Sequence, residues 1–141
     1  MLKLTRLPLA ALVLLVLLTG CKKSAAFLII DAQTQQPIAH ALVDHRAVYD
    51  YTDPRGGSTY LKSTEPANAE GWIELDKPQS SDSYFLRAPG YQTREVRMTR
   101  PGKLAEYMVV GGPDVTRWIE VEPRDNGDDD VPTFVIPVDP N

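Results

Sequence analysis

Residues 68–75 read Asn-Ala-Glu-Gly-Trp-Ile-Glu-Leu, a turn that leads directly into a short strand. Asparagine and glycine are typical turn residues, and the four residues after Gly71 place Ile73 and Leu75 on one face and Trp72 and Glu74 on the other. This period of two is typical of a strand that covers a core on one side only. The stretch therefore predicts a β-sheet protein.

Further segments on both sides of this stretch also have the composition of β-strands. Phe27-Leu28-Ile29-Ile30 is apolar throughout, as in a strand buried on both faces, and the polar turn after it predicts a hairpin with the next strand. Twelve prolines, and no helical period beyond residue 20, argue against long helices. We therefore predict an all-β sandwich. The predicted strands are 27–30, 38–45, 58–64, 72–75, 83–88, 93–99, 104–110, 117–122 and 131–138.

The N-terminal twenty residues have the pattern of an export signal. Lys3 and Arg6 precede an apolar run at 7–18, which is shorter than the roughly 20 residues of a membrane-spanning helix. The run ends in Leu18-Thr19-Gly20-Cys21, which resembles the lipobox of bacterial lipoproteins. The resemblance implies a signal peptide at 1–20 that is cleaved, a lipidated Cys21 and a short tether at 21–25. The alternative is an ordinary secretory signal followed by a stray cysteine.

Lipidation would place the protein in the cell envelope, facing the periplasm. Two or more acyl chains give stable membrane anchoring. Lys22 does not match the aspartate that marks inner-membrane retention in enteric bacteria, whereas Lys23-Ser24 is similar to a retention pair of some pseudomonads. The sequence favours the outer membrane over the inner.

Composition limits the remaining possibilities. Loss of Lys3 and Arg6 leaves 13 basic against 19 acidic residues, a net charge of −6, so the chain lacks the basic surface that nucleic acids require. Cys21 is the only cysteine, so no intramolecular disulfide can form and the hydrophobic core must stabilise the domain.

Four segments in order resemble the carboxypeptidase regulatory-like domain, a transthyretin-like β-sandwich of seven strands. The resemblance covers residues 26–100 and implies a domain at 26–110, with a C-terminal extension at 111–141 that we predict to form an extra hairpin. The loop at 46–57 is longer than in the family, and Asn68 replaces its usual aspartate. The family is generally non-catalytic, which implies support, adhesion or presentation of a partner. The segments are Asp31 to Val43, Thr64 to Leu75, Tyr84 to Tyr91, and Val96 to Met98.

The long loop and its flanks form the predicted contact surface, because tyrosine and arginine are enriched at interfaces. The alternative is that its tyrosines pack over the open end of the sandwich. The residues concerned are Arg46, Tyr49, Tyr51, Arg55 and Tyr60.

Metal binding has little support, and no cofactor is expected. His40 and His45 are five positions apart and would point to opposite faces of one strand. Asp125, Asp128 and Asp130 could offer oxygen ligands to calcium, but their spacing does not fit an EF-hand, so a solvated turn is the preferred interpretation.

No catalytic motif is evident. Hydroxyisourate hydrolase, an enzyme of related fold, has a C-terminal Tyr-Arg-Gly-Ser, whereas this chain ends Val138-Asp139-Pro140-Asn141. There is also no nucleophile elbow, CxxC or phosphate-binding glycine loop. We therefore expect a non-enzymatic module that binds an envelope protein or glycan.

Two other functions stay open. One is a structural lipoprotein subunit of an envelope or secretion machine, similar to the transthyretin-like lipoprotein of type VI secretion. The other is an envelope hydrolase, whose active site would need His45 to converge with Asp44 or Ser58 in one polar pocket.

Overall fold

The computed structural model describes residues 24–48, 59–100, 102–111, 116–124 and 131–141. Within these ranges the chain is all-β and forms nine strands. No helix in these ranges is both long and apolar enough to cross a membrane. The strands are β1 (Ala25–Asp31), β2 (Leu42–Val48), β3 (Thr59–Pro66), β4 (Trp72–Leu75), β5 (Ser83–Arg87), β6 (Arg94–Arg100), β7 (Leu104–Val110), β8 (Thr116–Val121) and β9 (Thr133–Val138).

The strands form two sheets that pack as a β-sandwich. Sheet A has three strands in the order β4-β1-β9, and sheet B has six in the order β3-β2-β5-β6-β7-β8. Strands β1 and β9 run parallel, and the other paired strands of the two sheets are antiparallel. The predicted fold class is confirmed, and each of the nine predicted segments contains a strand.

The core lies between the sheets, and the alternating apolar residues of the strands fill it. Phe27 of β1 meets Tyr84 of β5 edge-to-face, with ring centroids 5.3 Å apart. Ile73 and Leu75 point inward as predicted and are 7% and 5% exposed. The largest fully buried side chains, which stabilise the sandwich by removing apolar surface from water, are Tyr84, Phe27, Phe134, Ile29, Leu86, Met98, Ile136 and Val96.

The turn before β4 has the geometry that its sequence predicts. The Asn68 side-chain oxygen accepts hydrogen bonds from the backbone N–H groups of Glu70 (3.0 Å) and Trp72 (2.9 Å). Asn68 therefore supplies the acceptor oxygen that fixes this turn. Gly71 has a φ of +73°, and a Cβ there would lie 2.6 Å from the Ile29 carbonyl oxygen. Only glycine fits this position without a shift of the backbone.

The predicted hairpin between the first two strands is wrong. Strand β1 belongs to sheet A and β2 to sheet B, so the connection between them crosses from one sheet to the other. His40 has a φ of +58°, a left-handed conformation that interrupts extended backbone. The second strand therefore begins at Leu42 and not at the predicted residue 38.

The predicted C-terminal hairpin is also wrong. Strand β8 pairs with β7 at the edge of sheet B, whereas β9 pairs with β1 in sheet A. Among the described residues a single bridge, between Arg124 and Thr133, joins the segments on either side of the acidic turn. Placing β9 in sheet A buries Phe134 and Ile136 completely, which is the physical reason for the separation.

The strand directions define two ends of the sandwich. Strand β1 begins beside Leu75, the last residue of β4, and beside Pro132, whose carbonyl accepts a hydrogen bond from the Ala26 N–H. Strand β5 starts at the same end, because the segment 76–82 connects it to β4. Strand β2 is antiparallel to β5, so β2 ends and β3 begins there as well. We call this the N-terminal end of the sandwich.

Candidate functional site

The structure tests only part of the predicted contact surface. Cys21, Tyr49, Tyr51 and Arg55 lie outside the described residues, as do Asp125, Asp128 and Asp130. Arg46 and Tyr60 are described, near the N-terminal end. They do not share a surface, because Arg46 pairs with Leu61, and Tyr60 pairs with Ala47 on the opposite face of the sheet.

The face of sheet B that points away from sheet A, which we call the outer face, carries arginines over aromatic rings. The guanidinium of Arg46 lies 5.4 Å from the ring centroid of Phe85, and that of Arg97 lies 4.1 Å from the Trp118 ring. Such pairs are attractive because the negative face of the ring meets a cation. The outer face comprises Leu42, Asp44, Arg46, Leu61, Thr64, Phe85, Arg87, Glu95, Arg97, Glu106, Met108, Trp118 and Glu120.

A polar group on this face is fixed by a fork-like ion pair. Arg87 Nε and Nη2 donate to the two carboxylate oxygens of Asp44 at 2.9 and 3.0 Å, and the Thr64 hydroxyl donates to Asp44 Oδ1 at 2.8 Å. The hydrogen bonds from Arg87 are the main reason why the pKa of Asp44 lies below its ordinary value. The two parallel hydrogen bonds fix the orientation of the Arg87 guanidinium relative to the Asp44 carboxylate.

A second candidate site is a cavity of about 230 Å³ at the side of the sandwich, between the edge strands β3 and β4. We call it the lateral cavity. His45 and Tyr84 form part of its wall, and Val43, Ile73 and Leu75 contribute apolar surface. Lys62, Ser63, Glu65, Glu74 and Asp76 complete the lining.

His45 is held in this wall by a buried hydrogen bond. Its Nε2 lies 2.9 Å from Asp82 Oδ2, and its ring stacks on Tyr84 with centroids 4.5 Å apart. Asp82 Oδ2 also accepts from the Gln79 N–H at 3.1 Å, which fixes the carboxylate. His40 is exposed in a turn. The two histidines therefore do not lie on one strand, contrary to the prediction, because β2 begins only at Leu42. The described residues contain no group of three or more potential metal ligands.

Tyr84 is the residue of this site that sequence reasoning missed, because its inward position was interpreted as core alone. The residue is 1% exposed, and its hydroxyl oxygen has no hydrogen-bond partner. Burial, followed by the charges of Asp82 and Asp76, raises the pKa of Tyr84, so the hydroxyl stays protonated. A tyrosine at an inward strand position, where phenylalanine would suffice for packing, was the available signal.

Among the described residues, the side chains that the hydrolase alternative requires do not meet in this cavity. His45 and Ser63 are directly opposed across β2 and β3, yet no hydrogen bond joins them in the described part of the chain. Asp44 points to the outer face and cannot converge with His45, and Ser58 lies outside the described residues.

Comparisons of the chain with protein-family models, with curated proteins and with solved structures find no match.

Proposed function

We propose that this chain is a lipoprotein of the bacterial cell envelope whose non-enzymatic, carboxypeptidase regulatory-like β-sandwich binds a protein through the outer face of sheet B. The observation that carries the proposal is the pairing of Arg46 with Phe85 and of Arg97 with Trp118 on an open sheet face. Arginine and aromatic residues are the types most enriched at the centres of protein interfaces. Leu61, which is 52% exposed, adds apolar contact area beside Arg46, and Leu42, 38% exposed, adds it at the other end of the same face.

The same observation favours a protein over a glycan as the partner. Carbohydrates stack on the open faces of aromatic rings, because sugar C–H groups meet the π-face. Arg97 already lies over the Trp118 ring, and Arg46 lies over Phe85. The guanidinium groups instead offer donors to carboxylates or carbonyls of a protein, in addition to the bond of 3.1 Å that Arg97 Nε donates to Glu95.

The position of β1 supports a membrane-anchored role. Strand β1 starts at Ala25, four positions after Cys21, so the length of the chain allows at most roughly 14 Å between the start of the domain and the lipidation site. An anchor at Cys21 would hold the N-terminal end of the sandwich beside the bilayer. Arg46, near that end, would then lie closer to the membrane than Arg87, at the other end of the outer face.

A crosslinking experiment tests the partner. A photo-reactive amino acid is placed at Leu61 or Glu120, both exposed on the outer face, and at Gln33, an exposed turn residue, as the matched control. We expect one defined protein to be captured from intact cells at the two outer-face positions and not at Gln33. Capture of glycan, or equal capture at all three positions, would contradict the proposal. Capture of the components of a secretion machine would identify the chain as a structural subunit.

A separate experiment tests the anchor. Cells that express the wild-type chain or Cys21→Ser are labelled with a palmitate analogue and separated into membrane and soluble fractions. We expect both the label and membrane association for the wild type. We expect Cys21→Ser to lose both, because it lacks the acyl chains that stable membrane anchoring requires. An unlabelled wild-type chain would overturn the lipoprotein part of the proposal and leave the partner experiment unaffected.

A further inference from the structure

The edge strands of the two sheets differ in how well they are protected against pairing with another chain. Natural sheets protect their edges with, among other devices, short strands, bulges, lysine and proline. Strand β4 has only four residues, and β9 contains Pro137. Strand β3 has Lys62 at the irregularity in its pairing with β2, and it ends at Pro66. Strand β8 pairs regularly with β7 over six residues, has none of these four features, and on its other side pairs with no described strand. Within the described residues its backbone is therefore open to a further strand.

The inner face of sheet B, which points towards sheet A, continues beyond the cover that sheet A gives it. Sheet B has six strands and sheet A only three. On this face Val96 and Met98 of β6 are 0% and 1% exposed. The apolar residues of β7 and β8 on the same face are only partly buried, and they are Tyr107, Val109, Ile119 and Val121. Apolar side chains of an added strand would remove more of this surface from water.

The outer face of the same two strands carries negative charge without a counter-ion. Glu106 of β7 and Glu120 of β8 lie directly opposite each other, an arrangement that is destabilising for like charges. In the described part of the chain neither carboxylate forms an ion pair. Arg97 of β6 lies opposite Glu106, but its Nε donates to Glu95 at 3.1 Å. A lysine or arginine of an added strand, placed opposite Glu120, would balance this charge.

A second copy of this chain is not the occupant that fits this edge. Two copies that joined their β8 strands about a two-fold axis would run antiparallel. The N-terminal ends of the two sandwiches would then point in opposite directions. The lipid anchors of the proposed function hold both N-terminal ends at one membrane surface, through tethers of at most roughly 14 Å. The occupant is therefore a segment of a different protein.

We propose that a protein partner adds an extended segment to the free edge of β8, with apolar side chains beside Ile119 and Val121 and a lysine or arginine opposite Glu120. The segment must alternate because Ile119 and Val121 lie on the inner face and Glu120 on the outer face. Backbone hydrogen bonds along the edge supply affinity, and the two sets of side chains supply specificity. This inference rests on the proposed binding of a protein by sheet B, and it names the strand that the partner joins and the chemistry of its segment.

Peptides serve as probes of this edge, and the protein is the mature, lipidated chain in detergent. The first peptide alternates lysine and valine over six residues, the length of β8. The second alternates glutamate and valine, and the third has the composition of the first with its lysines and valines in separate blocks. Amide hydrogen exchange, followed residue by residue with NMR, locates the binding. We expect the first peptide to bind saturably and to slow exchange at every second residue of β8, and the other two peptides to leave exchange in β8 unchanged.

Two charge-swapped variants test the contact with Glu120. Glu120→Lys should weaken binding of the lysine–valine peptide about fivefold or more and should allow the glutamate–valine peptide to bind, because attraction between directly opposed side chains becomes repulsion for the first peptide and the reverse for the second. Glu65→Lys, the same change at an exposed position of the other edge of sheet B, is the matched control and should leave the affinity for both peptides unchanged. Circular dichroism verifies the fold of both variants.

The outcomes separate this inference from the proposed function. Strand addition would be overturned by a lack of saturable protection of β8 up to about 5 mM peptide, by equal protection from the peptide with separate blocks, or by equal effects of Glu120→Lys and Glu65→Lys. In that case, capture of one defined protein at Leu61 and Glu120 in cells would still support the binding of a protein by the outer face. Peptide binding at β8 without such capture would instead support the strand-binding edge and contradict the outer face as the interface.

Discussion

The hydroxyl of Tyr91 donates a hydrogen bond of 2.8 Å to Asp31 Oδ2 and thereby links the two sheets at the end opposite the start of β1. The other carboxylate oxygen of Asp31 accepts from the N–H groups of Gln33 (2.7 Å) and Thr34 (2.9 Å), which fixes the turn after β1. These bonds, that from the Thr34 backbone first and that from Tyr91 next, hold the pKa of Asp31 below its ordinary value of 3.8. One carboxylate therefore organises both a turn and a contact between sheets.

Removing the Tyr91 hydroxyl should make the protein less stable in a pH-dependent way. Asp31 has a lower pKa in the folded than in the unfolded state, so its stabilisation is present above pH 3.8 and is lost as the pH falls through the depressed folded-state value. We expect Tyr91→Phe to lower the urea midpoint at pH 7 and the difference from wild type to shrink at about pH 3. Tyr107→Phe is the control, since the pKa of Asp31 does not depend on it. A difference that stays constant with pH would contradict this account.

Two glycines with left-handed backbone should differ in their tolerance of alanine. Gly71 and Gly90 have φ values of +73° and +82°, but a Cβ at Gly90 meets nothing within 4 Å. We expect Gly90→Ala to cost about 1 kcal/mol, the usual strain of an L-residue in this conformation. Gly71→Ala should cost about 3 kcal/mol or more, because the backbone of β1 must shift. Urea unfolding measures the free energy of unfolding of both variants. Equal losses would show that the close approach of the Ile29 carbonyl oxygen does not add to the cost of Gly71→Ala.

The strands could be predicted from sequence because each is encoded locally. Trp72–Leu75 and Leu104–Val110 match the predicted ranges. The period of two is visible in the first, and the second is a largely apolar run that follows the turn residues Pro101-Gly102. The pairing of strands could not be predicted in the same way. Strand β9 pairs with β1 across about a hundred residues of chain, and nothing in either segment alone specifies a parallel partner in the other sheet.

The candidate site shows the same division between local and distant information. Alternation along β2 from Val43 places His45 on the inward face, and alternation along β5 from Leu86 places Tyr84 on the same face. The carboxylate that binds His45 belongs to Asp82, 37 positions further along and outside any strand, so no spacing rule points to it. Arg97 and Trp118 lie on strands that do not pair with each other, so their contact also depends on the completed sheet.

The C-terminal segment after β9 should contribute to stability through Arg94. The Arg94 side chain is 5% exposed, and its guanidinium donates to the Met108 carbonyl and to the carboxylate of Asp139. Asp139→Ala removes the counter-ion of that buried charge, and because the Asp139 side chain is itself 41% exposed we expect a loss of about 2 kcal/mol in urea unfolding. Glu95→Ala removes the partner of Arg97, which is 48% exposed, and should cost less than about 1 kcal/mol. A smaller loss for Asp139→Ala than for Glu95→Ala would contradict the buried role of Arg94.

The contact between Arg97 and Trp118 can be observed directly by fluorescence. The chain has two tryptophans, so Trp72→Phe leaves Trp118 as the only indole emitter. In that background Arg97→Ala should shift the emission to longer wavelength, because the guanidinium 4.1 Å from the ring centroid no longer shields the indole from water. Arg100→Ala, an exposed arginine of the same strand, is the control and should leave the spectrum unchanged. An unchanged spectrum in Arg97→Ala would mean that the pair does not persist in solution, and it would remove the main observation behind the proposed protein-binding face.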